Sequence, residues 1–105
     1  MVNNLITPMS PIIYDEYDEI FDDPDFLYQV KWDGVRMISY IKNNEVTLIN
    51  RRLNSRTIQY PEFKNLADMI KGNNVTILDG EIIALVNGKP SFPTIMRRDN
   101  TSDIK

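Results

Sequence analysis

Four side chains stand where their types and spacing could do chemistry. These are Lys31 and Arg36 within the hexapeptide Lys31-Trp32-Asp33-Gly34-Val35-Arg36, Arg51 in a basic stretch, and Glu81 in Asp79-Gly80-Glu81. The chain has no histidine and no cysteine, so any reaction must run on Lys, Arg, Asp and Glu, and disulfides and thiolate zinc sites are excluded. A lysine amine is a nucleophile once deprotonated, and a partly desolvated site or a neighbouring cation such as Arg36 favours that form. A guanidinium at Arg51 can fork onto ribose or phosphate oxygens. A carboxylate at Glu81 can accept hydrogen bonds from a sugar or ligate a hard cation. Taken alone, Lys31 reads as an exposed strand lysine, Arg51 as part of a basic surface hairpin, and Asp-Gly-Glu as a common turn.

The elements that must position these groups follow from the hydrophobic pattern. Leu27 to Asp33 alternates Tyr28, Val30 and Trp32 with Gln29, Lys31 and Asp33, which predicts a half-buried strand displaying three polar groups on one face. Gly34 allows a turn or a close backbone approach. Val35 to Lys42 and Val46 to Arg51 read as strands joined by an Asn43-Asn44 hairpin turn. Pro61 suits a first helical position, and Phe63, Leu66, Ala67 and Ile70 line one face of a helix that Gly72 would close. Val75 to Val86 reads as one or two strands broken near Asp79-Gly80-Glu81, followed by an Asn87-Gly88 turn. A short helix at 14–21 and the start of another at Thr94 to Arg98 complete the pattern, and Phe92 reads as a core residue. The order β-β-β-α-β predicts an α+β fold built on an antiparallel meander.

At 105 residues, 42% hydrophobic and 26% charged, the chain has the composition of one domain or part of one. No apolar run is long enough to span a bilayer and the N-terminus does not read as a signal peptide, so a cytoplasmic location is expected and no membrane partner. The net charge of -3 hides an asymmetry: residues 1–25 hold 7 acidic side chains and no Lys or Arg, while residues 26–105 hold 12 basic against 8 acidic, a balance of +4. That balance is compatible with phosphate or nucleic acid as a partner.

The hexapeptide fits Lys-x-Asp-Gly-x-Arg and so resembles the nucleophile motif of the covalent nucleotidyltransferases, namely DNA ligases, RNA ligases and capping enzymes. Four specified positions in a chain this short arise by chance on the order of once in a thousand sequences. Tyr28-Gln29-Val30 resembles the aromatic-Glu-Val that precedes the lysine in DNA ligases. Pro8-Met9 is similar to the domain start of bacterial end-joining ligases, and Gly88 to Phe92 with Met96-Arg97-Arg98 to a later stretch of the same enzymes. Asn50-Arg51-Arg52-Leu53 resembles their Ser-Arg-x-Gly segment, with Asn50 for serine and Leu53 for glycine, and Tyr60-Pro61-Glu62 its sequel. Leu78-Asp79-Gly80-Glu81 is similar to the motif that follows the helix.

The resemblance implies an ATP-dependent DNA ligase whose Lys31 attacks the α-phosphate of ATP, forms lysyl-AMP and passes the nucleotide to the 5′-phosphate of nicked double-stranded DNA. Gln29, Val30, Arg36, Arg51 and Glu81 would bind the nucleotide, Glu81 also positioning Mg2+. Gln29 stands where the family places a Glu that recognises the adenine amino group, and its carbonyl can accept the same bond. Arg52 and Arg56 read as basic surface residues or contacts to DNA phosphates. The implied fold is the first part of a nucleotidyltransferase, ATP-grasp-like domain: an acidic leader over residues 1–25 and the nucleotide motifs over 26–98. The family's later Lys-x-Lys segment and its oligonucleotide-binding-fold domain are not in the sequence, so residues 1–105 are expected to be a single partial domain that adenylates feebly alone. An RNA ligase or capping-type enzyme, or a non-catalytic nucleic-acid-binding piece, is the alternative.

Overall fold

A computed structural model describes residues 5–9, 23–27, 29–70, 72 and 74–101. The centre is a three-stranded antiparallel sheet in the order β2-β1-β3, made by β1 (Val35–Lys42), β2 (Glu45–Asn50) and β3 (Thr76–Ile82). β1 and β2 form the expected hairpin, Lys42 facing Glu45. Asn43 and Asn44 both have positive φ, 52° and 65°, the geometry a two-residue turn needs to match strand twist. The short hairpin β4 (Leu85–Val86) and β5 (Lys89–Pro90) turns the same way, at Asn87 and Gly88.

Alternation along the strands divides the sheet into two faces. Met37, Ile41, Val46, Leu48 and Ile82 face the main core, which Tyr60, Ala67 and Ile95 complete. A 3-10 turn (Pro61–Asn65), α1 (Leu66–Met69) and α2 (Phe92–Asp99) flank this core. Ile38, Tyr40 and Ile49 lie on the opposite face, where the Ile6 N–H donates to the Tyr40 hydroxyl at 2.8 Å.

Several expectations change. Leu27 and 29–33 form no strand; Val30 is 66% and Trp32 50% exposed, because these residues find no ladder partner among the described residues. The helix from Pro61 begins as 3-10 and ends at Met69, with Ile70 already extended, so Gly72 serves the return to β3 and not the helix end. β3 runs unbroken through Asp79-Gly80-Glu81 and the break falls at Ile83-Ala84, since the β1 register pairs all three residues. Phe92 opens α2 and is 42% exposed, not core. The helix expected at 14–21 lies outside the described residues.

Candidate functional site

Glu81 is the point on which Lys31 and Arg36 converge. The register sets Arg36 opposite Glu81 and Ile38 opposite Asp79, so Arg36, Asp79 and Glu81 share the face away from the helices. Partial burial raises the pKa of the Glu81 carboxyl; Arg36, the Gly34 N–H and Lys31 act against this, and Asp79 adds to it. Lys31 therefore lies within electrostatic reach of Glu81 although its segment is irregular and exposed. Gly34 is what lets the segment come so close: a Cβ there would overlap the Ile82 carbonyl oxygen and sit 2.8 Å from Ile83 Cγ2.

Arg36 is held by Asp79 in a two-pronged contact, Nε to Oδ1 at 3.0 Å and Nη2 to Oδ2 at 2.7 Å. The hydrogen bond to Asp79 is the largest influence on the guanidinium and raises its pKa, keeping it charged. Sequence reasoning gave Asp79 no role. Its signal was available in part: two residues before Glu81 on one strand means the same face. That Arg36 lies across from it required the register.

Arg51 leaves the same end of the sheet, since Met37 faces Asn50 and the ladder stops there. It is exposed and makes no hydrogen bond or ion pair among the described residues. Its loop is organised by Asn50, whose Oδ1 accepts from the N–H of Arg52 at 3.0 Å and of Asn54 at 2.9 Å. Leu53 has φ 66°, the left-handed conformation for which glycine is suited, so the departure from the family pattern falls where it strains the backbone. Arg52 is exposed on the same loop. Arg56 instead turns toward α2, its Nε 3.6 Å from Asp99 Oδ2 and too far for a hydrogen bond.

Gln29 and Val30 are exposed, and with no strand here the expected alignment of Gln29, Lys31 and Asp33 on one face is not imposed by a ladder. A cleft of about 170 Å³ is lined by Asp79, Gly80 and Glu81 together with Met37 and Phe63, and one of about 220 Å³ lies at the Asn43-Asn44 end of the sheet; Lys31, Arg36 and Arg51 line neither. Among the described residues no group of three or more Asp, Glu, His or Cys side chains forms a metal cage. With Asp79 engaged by Arg36, Glu81 is the carboxylate on that face that suits a Mg2+ ion otherwise held by substrate phosphates.

Comparison with known proteins gives a consistent set of relatives. The family model described as ATP dependent DNA ligase domain matches residues 8–104. The SPbeta prophage-derived DNA ligase-like protein LigB of Bacillus subtilis is 35% identical over 91 residues, 86% of this chain and 32% of that protein. The multifunctional non-homologous end joining protein LigD of Mycolicibacterium smegmatis is 33% identical over 79 residues, 74% of this chain and 10% of its own length. A solved structure of mycobacterial DNA ligase D complexed with ATP and MES superposes with TM-score 0.53 at 29% identity, covering 67% of this chain and 23% of that one. The ligase domain of M. tuberculosis LigD gives TM-score 0.52 at 31% identity, covering 63% and 22%. The chain thus spans about a third or less of the proteins it matches. Among the described residues no helix is long and apolar enough to cross a membrane.

Proposed function

Because the chain belongs to the ATP-dependent DNA ligase domain family, we propose that it forms the N-terminal part of a ligase adenylation domain in which Lys31 is the residue that takes AMP from ATP. The observation that carries this reading is the convergence of Lys31, the Gly34 N–H and Arg36 on Glu81 at one end of the sheet. The Nζ lone pair of Lys31 attacks the α-phosphorus; a P–N bond forms as the bond to the bridging oxygen breaks, and pyrophosphate leaves with the electron pair. The ammonium must first lose its proton. Mg2+, when bound, neutralises phosphate charge, and Glu81 would hold it together with the nucleotide's own oxygens.

Arg51 contributes by its guanidinium, unpartnered among the described residues, which can fork onto ribose or phosphate. Gln29 and Val30 are proposed to meet the adenine side when nucleotide orders their segment. The AMP then passes from Lys31 to the 5′-phosphate of a DNA nick, freeing the amine, in concert with the further domains that such ligases carry. Residues 1–25 form an acidic leader and residues 26–98 carry the nucleotide motifs.

Intact mass after incubation with ATP and Mg2+, for wild type and Lys31→Ala and again with GTP, tests the proposal. A gain of one AMP that the mutant loses is the expected result, small in extent because this chain spans a minor part of its relatives. Preference for GTP would point to capping-type chemistry. Salt-sensitive DNA binding that survives Lys31→Ala, with no nucleotide attached, would sink the enzymatic reading.

A further inference from the structure

The charged node at the end of α2 is used by nothing in the chemistry above, yet it is the most connected polar group among the described residues. Asp99 is 6% exposed and accepts a hydrogen bond from the Tyr60 hydroxyl at 2.7 Å, with Tyr60 itself 2% exposed. Arg56 approaches its other carboxylate oxygen. Next along the helix, Arg98 donates from Nε to the Gln59 carbonyl at 2.9 Å and from Nη2 to both Glu62 oxygens at 2.7 and 3.0 Å, and its guanidinium lies 5.4 Å from the centre of the Tyr60 ring. A carboxylate buried this far is costly unless paired, and an apolar residue would cover the core more cheaply. What the charge adds is direction.

The two ends of α2 meet the two halves of the candidate site. At its start the Ser91 N–H donates to the Ala84 carbonyl at 2.8 Å, just beyond the Ile82-Ile83 pair that abuts Gly34 and the Lys31 segment. At its end Asp99 faces Arg56, whose backbone N–H donates to Leu48 at 2.8 Å on β2. The Thr57 hydroxyl accepts from the Leu48 N–H at 3.0 Å, and the loop carrying Arg51 closes between Asn50 and Asn54. The return limb of that loop is therefore clamped between β2 and α2.

We propose that α2 is a strut that sets the spacing between the Lys31–Glu81 group and the Arg51 loop, and that Asp99 is the positioning residue that latches it. The inference rests on the reading of Arg51 as a nucleotide contact. Its test uses the full chain with Asp99→Asn, which removes the charge facing Arg56, and Tyr60→Phe, which removes only a hydroxyl; both keep side-chain shape. Amide hydrogen exchange is followed together with Mg-ATP affinity by titration calorimetry. In both variants the Arg52 and Asn54 amides, bonded to Asn50 Oδ1, should exchange about tenfold faster or more while β1 amides at the sheet centre hold their rates. ATP affinity should fall severalfold. Loop amides that stay unchanged, or that speed up by the same factor as β1, overturn the strut. Failure of the wild type to bind ATP would defeat the adenylation reading instead, and the exchange rates would still decide the strut.

Discussion

Asp79 and Glu81 sit two residues apart on one strand and do opposite things. Asp79 fixes the Arg36 guanidinium, so Asp79→Asn should leave stability within about 1 kcal/mol, as partly exposed ion pairs do, while lowering the rate of AMP attachment read by mass spectrometry. Against the pull of Arg36, the Gly34 N–H and Lys31, partial burial raises the pKa of the Glu81 carboxyl. Its folded-state pKa is raised above the unfolded value, so its contribution to stability is fully present below the unfolded pKa and is lost as pH rises through the folded one. Glu81→Gln should therefore raise the melting temperature modestly at pH 7, with the gain vanishing as pH falls through the carboxylate range, and should abolish AMP attachment. A melting temperature that drops at neutral pH would contradict this account. Gly34→Ala should destabilise by about 1–3 kcal/mol, since its methyl meets a backbone carbonyl that cannot swing aside.

At the scale of elements, the Arg51 loop carries its own strain and its own remedy. Leu53 holds a left-handed φ of 66° with its side chain largely in solvent. Leu53→Gly should stabilise by about 1 kcal/mol in urea unfolding, because the Cβ penalty disappears with little burial lost. Asn50→Ala removes the acceptor for two loop amides and should cost about 1–2 kcal/mol, with a matching loss of nucleotide affinity if Arg51 loses its position. The 3-10 turn begins where Pro61 fits, and Tyr60 and Phe63 meet edge to face at 6.0 Å, so the Tyr-Pro-Glu sequence links the loop to the core.

For the whole molecule, the sheet is closed on one side by helices and left open at one edge. β3 pairs only with β1 among the described residues, and Ile77 and Leu78 are each about 40% exposed. Such an edge is a template for strand pairing. Concentration-dependent association in sedimentation is the expected behaviour, and Ile77→Lys should reduce it without altering the hairpin. α2 binds the molecule together by reaching from the β3 end to the turn before Pro61.

The sequence by itself determined the local features: the Asn43-Asn44 and Asn87-Gly88 turns, the β1–β2 hairpin, the apolar stripe of Phe63, Leu66, Ala67 and Ile70, and the lysine motif with its family. Each depends on neighbours within a few residues, where turn chemistry and periodicity act directly. Tertiary structure alone decided which of the alternating residues find partners. The run from Leu27 to Asp33 has a strand's pattern but no ladder partner among the described residues, while Asp79-Gly80-Glu81 has a turn's composition and is held straight by seven registered pairs with β1. The Arg36–Asp79 clasp and the Tyr60–Asp99 bond join residues 43 and 39 positions apart, and no spacing along a chain encodes a contact that exists only once the sheet has chosen its register.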